Sequence, residues 1–235
     1  MRNICIIPAR CGSKGLPGKN IKEIAGKPLI GWAIEQAQAS GLFEEIICST
    51  DSEEIAQVAA SFGCAIPYLR PPHLAGDNVR VIHTILDLID RLRLAGDDPA
   101  TIFTISCTSP LRTASDIVEA YKTYQNKGAT SLITVSNSES PPFWMYTIDA
   151  DARLKPLFDD ERKGLQRQKL PITYRVNGAI YINDAHMLKR TGDFTDSDTI
   201  CHVMSLNNSV DIDSEDDFLY AEFLLQRRQN SATSS

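Results

Sequence analysis

No stretch of this 235-residue chain stays apolar for the ~20 residues that a bilayer-spanning helix needs, so no membrane span is expected. None of the six cysteines (Cys5, Cys11, Cys48, Cys64, Cys107, Cys201) forms a Cys-x-x-Cys pair, which removes the usual zinc spacings. Cys5, Cys48 and Cys201 sit in apolar runs and read as small buried hydrophobes, while Cys11 lies in a loop. Histidine is scarce: His73, His83, His186 and His202 are scattered, and none is placed beside Cys11 to activate it as a nucleophile. Excess positive charge is also missing. The net charge of −6 argues against a general nucleic-acid binder, which would carry a basic face. Met1-Arg2-Asn3 leads directly into an apolar run with no signal peptide, so the cytoplasm is the expected location.

The cations that do occur are concentrated. From Arg10 to Lys27 there are five basic residues and one acid, Glu23. Within that region the stretch Ile7 to Asn20 follows an apolar run, Ile4 to Ile7, that reads as a buried strand. It holds Gly12, Gly15 and Gly18 together with Arg10, Lys14 and Lys19. Glycines let backbone N–H groups approach a ligand, and the cations can face an anion, so this loop is a candidate polyphosphate cradle. It is not a Walker motif, because Asn20 follows Gly18-Lys19 where Ser or Thr is required. Its glycines are spaced by three, which is not the dinucleotide Gly-x-Gly-x-x-Gly pattern either. The bland alternative is a solvated turn carrying lysines.

Further along, helical spacing appears over Pro28 to Ser40, from Asp51, over Asn78 to Leu94, and from Ser115 to near Gly128. Short apolar runs at Glu45–Thr50, Cys64–Leu69, Thr101–Ser106 and Ser131–Ser136 read as strands between them. The alternation predicts an α/β fold, a mostly parallel sheet with helices on both faces. In such sheets ligands sit beyond the carboxyl ends of the strands, where these loops lie.

The rhythm breaks between Ser138 and Arg175. That segment has four prolines (Pro141, Pro142, Pro156, Pro171) and an exposed-looking aromatic set, Phe143, Trp144 and Tyr146. It is too long for an ordinary connection and is a subdomain, an arm for a partner, or a surface meander. The core resumes at Ala179–Ile182. Cys201–Leu206 is expected to be the last strand, and Ser214 to cap a C-terminal helix with Glu215, Asp216 and Asp217 in its first turn. Asn230 to Ser235 is a polar tail. Asp211 and Asp213, two apart in an extended segment, point to one side and suit a magnesium ion; the alternative is an acidic helix start.

The opening loop resembles the N-terminal signature of the cytidylyltransferases that activate nonulosonic acids, the CMP-sialic acid synthetase family. Further segments in the same order carry the resemblance over nearly the whole chain: Ser49-Thr50-Asp51, Leu69-Arg70-Pro71, Thr108-Ser109-Pro110-Leu111-Arg112, Arg167-Gln168-Lys169-Leu170-Pro171, Asn177-Gly178-Ala179-Ile180-Tyr181 and Asp211-Ile212-Asp213. The resemblance implies a Rossmann-like nucleotidyltransferase core over 1–137 and 177–230, a dimerisation arm over 138–176 and a flexible tail over 231–235. It implies a reaction of CTP with a sugar acid, Mg²⁺ as cofactor, and a homodimer. Arg10, Lys19, Asp211 and Asp213 would then be catalytic, the two aspartates as metal ligands. Arg10, Ser13, Lys14, Gly15, Lys19, Asn20, Arg70 and Asp77 would hold the nucleotide. Ser106, Ser109, Arg167, Asn177 and Tyr181 would meet the sugar, with Arg167 reaching a neighbour's site and Arg112 either nearby or structural.

Two departures stand out. The family's Gln-Pro before Thr-Ser-Pro is Ser106-Cys107 here, and Trp144 stands roughly where a lysine is expected in the arm. Phosphate handling looks intact while sugar recognition looks altered, which fits a modified acid of the legionaminic or pseudaminic type as readily as sialic acid. The competing readings are the cytidylyltransferase of 3-deoxy-manno-octulosonate, a metal-dependent glycosyltransferase of related fold, and an idle CTP-binding regulator.

Overall fold

The computed structural model describes residues 2–12 and 15–233. In chain order its elements are β1 (Asn3–Pro8), a small hairpin of β2 (Glu23–Ile24) and β3 (Lys27–Pro28), α1 (Leu29–Ser40), β4 (Glu45–Ser49) and α2 (Glu53–Ser61). Next come α3 (Val81–Leu94), β5 (Thr101–Ile105), α4 (Ala114–Lys127) and β6 (Ser131–Asn137). A second hairpin, β7 (Tyr146–Ile148) with β8 (Leu154–Pro156), precedes β9 (Tyr174–Asp184), α5 (Ala185–Thr191), β10 (Ile200–Val203) and α6 (Glu215–Thr233).

Six strands form the central sheet in the order β10-β6-β9-β5-β1-β4. β1 runs parallel to β4 and β5, and β10 parallel to β6. β9 lies antiparallel between β5 and β6. The mostly parallel sheet read from the alternation is therefore present, with one reversed strand in its middle.

Alternation along the strands divides the core. Cys5 and Ile7 face a cluster with Leu29, Ile30, Ala33 and Ile34 of α1, Ile117 of α4 and Leu224 of α6. Ile4 and Ile6 face the other way, onto Ile82, Ile85 and Ile89 of α3 and Leu188 of α5. Both faces are thus covered, as successive side chains on opposite sides of a buried strand require.

The helix starts follow from their caps. Ser52 accepts a hydrogen bond from the Ile55 backbone N–H, and Thr113 makes a reciprocal capping box with Asp116. Ser214 and Asp217 do the same for α6: Ser214 Oγ accepts from Asp217 N at 3.2 Å, and Asp217 Oδ2 accepts from Ser214 N at 2.8 Å.

Four expectations change. Cys201, read as a small buried hydrophobe, is exposed on β10. Cys64–Leu69 is not a strand: it makes a single bridge, Ile47 to Ala65, because Pro67 has no N–H with which to continue a ladder. The last strand stops at Val203, and a 3₁₀ turn occupies Leu206–Asn208. The helix that begins at Glu215 runs on through Thr233, past the point where a polar tail was expected.

Candidate active site

β1, β4 and β5 end at one edge of the sheet, and the loops beyond them converge there. The backbone N–H of Cys11 donates to Asp51 Oδ1 at 2.8 Å, tying the glycine-rich loop to the loop after β4. Asn20 Nδ2 donates to the Arg10 carbonyl at 2.9 Å, closing the loop on itself. Gly18 sits in the left-handed region at φ +67°, the turn that leads into Lys19. Gly15 meets the other half of the site: a Cβ there would fall 2.1 Å from the Asp213 carbonyl oxygen. Only glycine allows the two loops to approach this closely.

A cavity of about 330 Å³ opens at this edge, lined by Arg10, Gly15, Lys19, Asn20, Arg70, Ser106, Thr108 and Asp213, with Pro8 and Val81. Its cations are already engaged. Arg10 Nη1 is 2.8 Å from Asp77 Oδ1, and Lys19 Nζ is 3.0 Å from Asp213 Oδ1 and 2.6 Å from the Ile212 carbonyl. Arg70 is buried and donates to the Ser49 carbonyl beneath it; burial lowers its pKa. A polyphosphate entering here would exchange these internal partners for its own oxygens, Arg offering a two-pronged contact where Lys offers a point charge.

A second cavity of about 280 Å³ adjoins the first, sharing Pro8, Val81 and Ser106, and adds Thr104, Gly178, Tyr181, Phe194 and Asp211. The two aspartates divide between the lobes, Asp213 in the cationic one and Asp211 in the second. Asp211 accepts a hydrogen bond from the Thr108 hydroxyl, which itself lies 2.8 Å from the Ser106 hydroxyl. The Ile212 N–H donates to the Thr108 carbonyl at 2.9 Å, so the aspartate segment is pinned to the end of β5 from two sides. Burial pushes the Asp211 carboxyl above its ordinary range, against the Thr108 hydrogen bond that pulls it down.

Among the described residues no three His, Cys, Asp or Glu side chains gather as a metal site. The available donor set is two carboxylates separated by Ile212, Asp213 open toward the cationic cavity and Asp211 toward the adjoining one. That matches a magnesium ion that takes one or two carboxylates and completes its shell with water and substrate phosphate.

Not every expected residue reaches the cavity. Ser13 and Lys14 lie outside the described residues. Asp77 contributes through Arg10. Ser109 is fully buried and lines neither lobe. Asn177 is turned inward: its Nδ2 donates to Ser209 Oγ at 2.9 Å, and its Oδ1 accepts from Thr134 Oγ1 at 2.7 Å and from Ala179 N at 3.1 Å. It shapes the wall at Gly178 from behind. Arg167 sits on the long insertion beside a separate cavity of about 190 Å³, with Ser138, Pro141 and Leu170. Arg112 is structural: wholly buried, it donates from Nη1 to the carbonyls of Ser106 and Ala179 at 3.0 Å each.

Sequence reasoning passed over Thr104, Val81, Gly178, Phe194 and Thr108 as lining residues. Thr108 and Gly178 lay inside segments already singled out, whereas Val81, Thr104 and Phe194 stood in an ordinary helix start, strand and loop with no local signal.

Known proteins resemble this chain in sequence and in fold. The sequence matches the cytidylyltransferase family over residues 4–232. It is 37% identical over 234 residues to the CMP-N,N'-diacetyllegionaminic acid synthase of Legionella pneumophila, spanning 98% of this chain and 99% of that protein. It is 33% identical to the N-acylneuraminate cytidylyltransferase of Streptococcus agalactiae, covering 98% of this chain and 56% of that longer protein. In fold it is similar to a CMP:2-keto-3-deoxy-manno-octonic acid synthetase solved with CTP, with a TM-score of 0.74, 14% identity, and 97% and 100% of the two chains covered. With a match that runs almost end to end and a cation-lined loop folded against a paired-aspartate segment, this chain belongs to the cytidylyltransferase family.

Proposed function

We propose that this protein joins CTP to a nonulosonic acid, releasing pyrophosphate and forming the CMP-sugar. The observation that carries the reading is the pair of joined lobes, one cationic and one largely apolar, with one aspartate in each. The 37% identity to a CMP-diacetyllegionaminic acid synthase supports it. Arg10 and Lys19 hold the triphosphate, with Ser13 and Lys14 assigned to the same loop. Asn20 and Arg70 face the nucleoside, and Asp77 holds Arg10 ready. Asp211 and Asp213 would hold Mg²⁺, which supplies charge neutralisation at the α-phosphate. Tyr181 and Ser106 place the sugar acid so that its anomeric 2-hydroxyl oxygen attacks the α-phosphorus in line with the departing pyrophosphate. Ser109 and Asn177 support that lobe through the backbone. The cytoplasm, which supplies CTP, is the compartment that suits this reaction; among the described residues no helix is long and apolar enough to cross a membrane.

The test is pyrophosphate release from CTP and Mg²⁺ with sialic, legionaminic, pseudaminic and octulosonic acids in turn. Turnover with a nonulosonate is the expected result. Turnover with the octulosonate alone, or with none despite CTP binding, overturns the reading.

We assign the insertion to a homodimer. It presents Ile148, 70% exposed, and Ile172, 76% exposed, together with half-exposed Trp144, Leu157 and Phe158. Apolar surface of this extent suits burial against a second copy. Arg167 then belongs to the partner's sugar site. Arg167→Ala is expected to impair turnover, and mixing it with Asp213→Asn subunits is expected to restore activity in the hybrid dimers. Mixtures no more active than the separate variants would place the whole site within one chain.

A further inference from the structure

Only part of α6 packs on the fold. Phe218, Ala221, Leu224 and Leu225 face the core, and Arg228 Nη1 donates to the Leu111 carbonyl at 2.7 Å. The opposite side carries Leu219, Tyr220 and Phe223, each more than half exposed, with exposed Asp216 and Arg227 beyond them at either end. Spacings of three and four residues set these five side chains in one stripe down the helix. Contiguous apolar surface of this kind, bounded by charge, marks a contact with another molecule.

The bounding charges have no partner within the chain. Their neighbours do: Glu215 pairs with Lys22 at 2.8 Å, and Asp217 accepts from the Ser214 cap. Among the described residues Asp216 and Arg227 make no ion pair, and Arg227 lies over the Phe223 ring, 5.9 Å from its centroid. The stripe is thus acidic at one end, basic at the other and apolar between.

That order makes it its own complement. Asp216 and Arg227 lie equally far from the point midway between Ala221 and Glu222, and so do Tyr220 and Phe223. A two-fold axis through that point runs a second α6 antiparallel to the first, with each Asp216 beside the partner's Arg227 and each Tyr220 beside the partner's Phe223. A parallel pairing would set like charges against each other at both ends. A different protein would have to bring the matching pattern, whereas a second copy supplies it by symmetry.

We infer that α6 is a self-association surface, at which two copies of this chain pair antiparallel through Leu219, Tyr220 and Phe223 and close with two Asp216–Arg227 ion pairs. It is a different element from the insertion, so with the interface proposed above it joins two dimers into a tetramer. One helix pair buries less than the ~800 Å² per partner of a stable complex, so the larger assembly forms as concentration rises.

The experiment is sedimentation velocity of the full chain from micromolar to sub-millimolar concentration. The wild type is expected to double in mass across that range. Phe223→Glu is expected to stop at half the wild-type mass, with the wild-type rate of pyrophosphate release and the wild-type melting midpoint at low concentration. Asp216→Arg and Arg227→Asp are each expected to weaken the association about tenfold or more, because each sets like charges together twice. The double variant, with the two charges exchanged, is expected to restore it. Ile148→Glu on the insertion is expected to leave a dimer held by α6, and its combination with Phe223→Glu to leave a monomer. A Phe223→Glu protein with the wild-type mass at every concentration overturns the inference, and so does a double charge variant as weak as the single ones. If Ile148→Glu and Phe223→Glu each give a monomer, α6 lies against the partner's insertion and the two-fold helix pair is wrong. If Ile148→Glu changes nothing while Phe223→Glu gives a monomer, the insertion reading fails and the α6 pair stands.

Discussion

Asp213→Asn is expected to fold as the wild type does and to turn over about a hundredfold more slowly or worse, the scale expected when a charge that stabilises the reacting phosphate is removed. The two halves of that result have separate causes. The Asp213 side chain is 80% exposed and pairs with Lys19 at 3.0 Å. Exposed pairs of this kind contribute at most about 1 kcal/mol, so folding barely registers the loss. Function would register it fully under the metal role proposed above, because asparagine cannot serve as an anionic ligand for Mg²⁺. Asp211→Asn sharpens the comparison. Burial raises the folded-state pKa of this carboxyl, so the folded chain holds the proton more tightly than the unfolded chain. The stability that follows is complete at low pH and fades as pH rises through the folded pKa. At neutral pH the charged group is a burden, and asparagine, which still accepts from Thr108, removes it. Activity is therefore expected to fall while the melting midpoint of the metal-free protein holds or rises. Kinetics and thermal melts on both variants check this; normal turnover in either variant would remove that aspartate from the reaction.

Arg112→Met should do the reverse and damage the fold first. The guanidinium is wholly buried, burial pushes its pKa down to about 10, and it stays charged at neutral pH. Among the described residues no carboxylate pairs with it; it bridges the carbonyls of Ser106 and Ala179 and the side chain of Gln36. Methionine fills much of the volume but leaves these acceptors short of a donor in a water-free interior, at a cost on the order of 3 kcal/mol. For a chain of this size that corresponds to a melting midpoint lower by about 10 °C. Ser106 lines both lobes and Ala179 follows Gly178, so sugar binding is expected to weaken as well. An unchanged midpoint would mean that the bridge carries no weight.

These cases indicate what can be read from residues in order. The cationic loop was legible because glycines and cations crowd a short stretch after an apolar run. The aspartates were legible because their spacing has a mechanical meaning in extended chain. The reversed strand was not, since Ala179–Ile182 has the same apolar character whichever way it runs, and its direction is set by neighbours far away in sequence. Pro67 could have excluded the strand at Cys64–Leu69, but the apolar residues around it outweighed one missing N–H in the reading. Phe194 and Thr104 become site residues only through the packing of β5, β9 and the loop after α5. Asn177 shows the opposite limit: its motif was recognisable, yet the direction of its amide depended on Thr134 and Ser209, neither of which the motif contains.

The insertion leaves and re-enters the sheet on neighbouring rungs. Asn137 of β6 faces Tyr174 of β9, and the Ser138 N–H donates to the Thr173 carbonyl at 2.8 Å. A segment whose two ends are already joined by the ladder behaves as a cassette. Its length can change with little penalty, because closing a longer loop adds only about 0.6 kcal/mol per doubling. A different arm could be spliced between Ser138 and Thr173 without shifting the register of β9, and therefore without moving Gly178 or Tyr181. Evolution and the protein engineer thus meet two independently adjustable parts, a fixed frame around the cationic cavity and an exchangeable attachment at its rim.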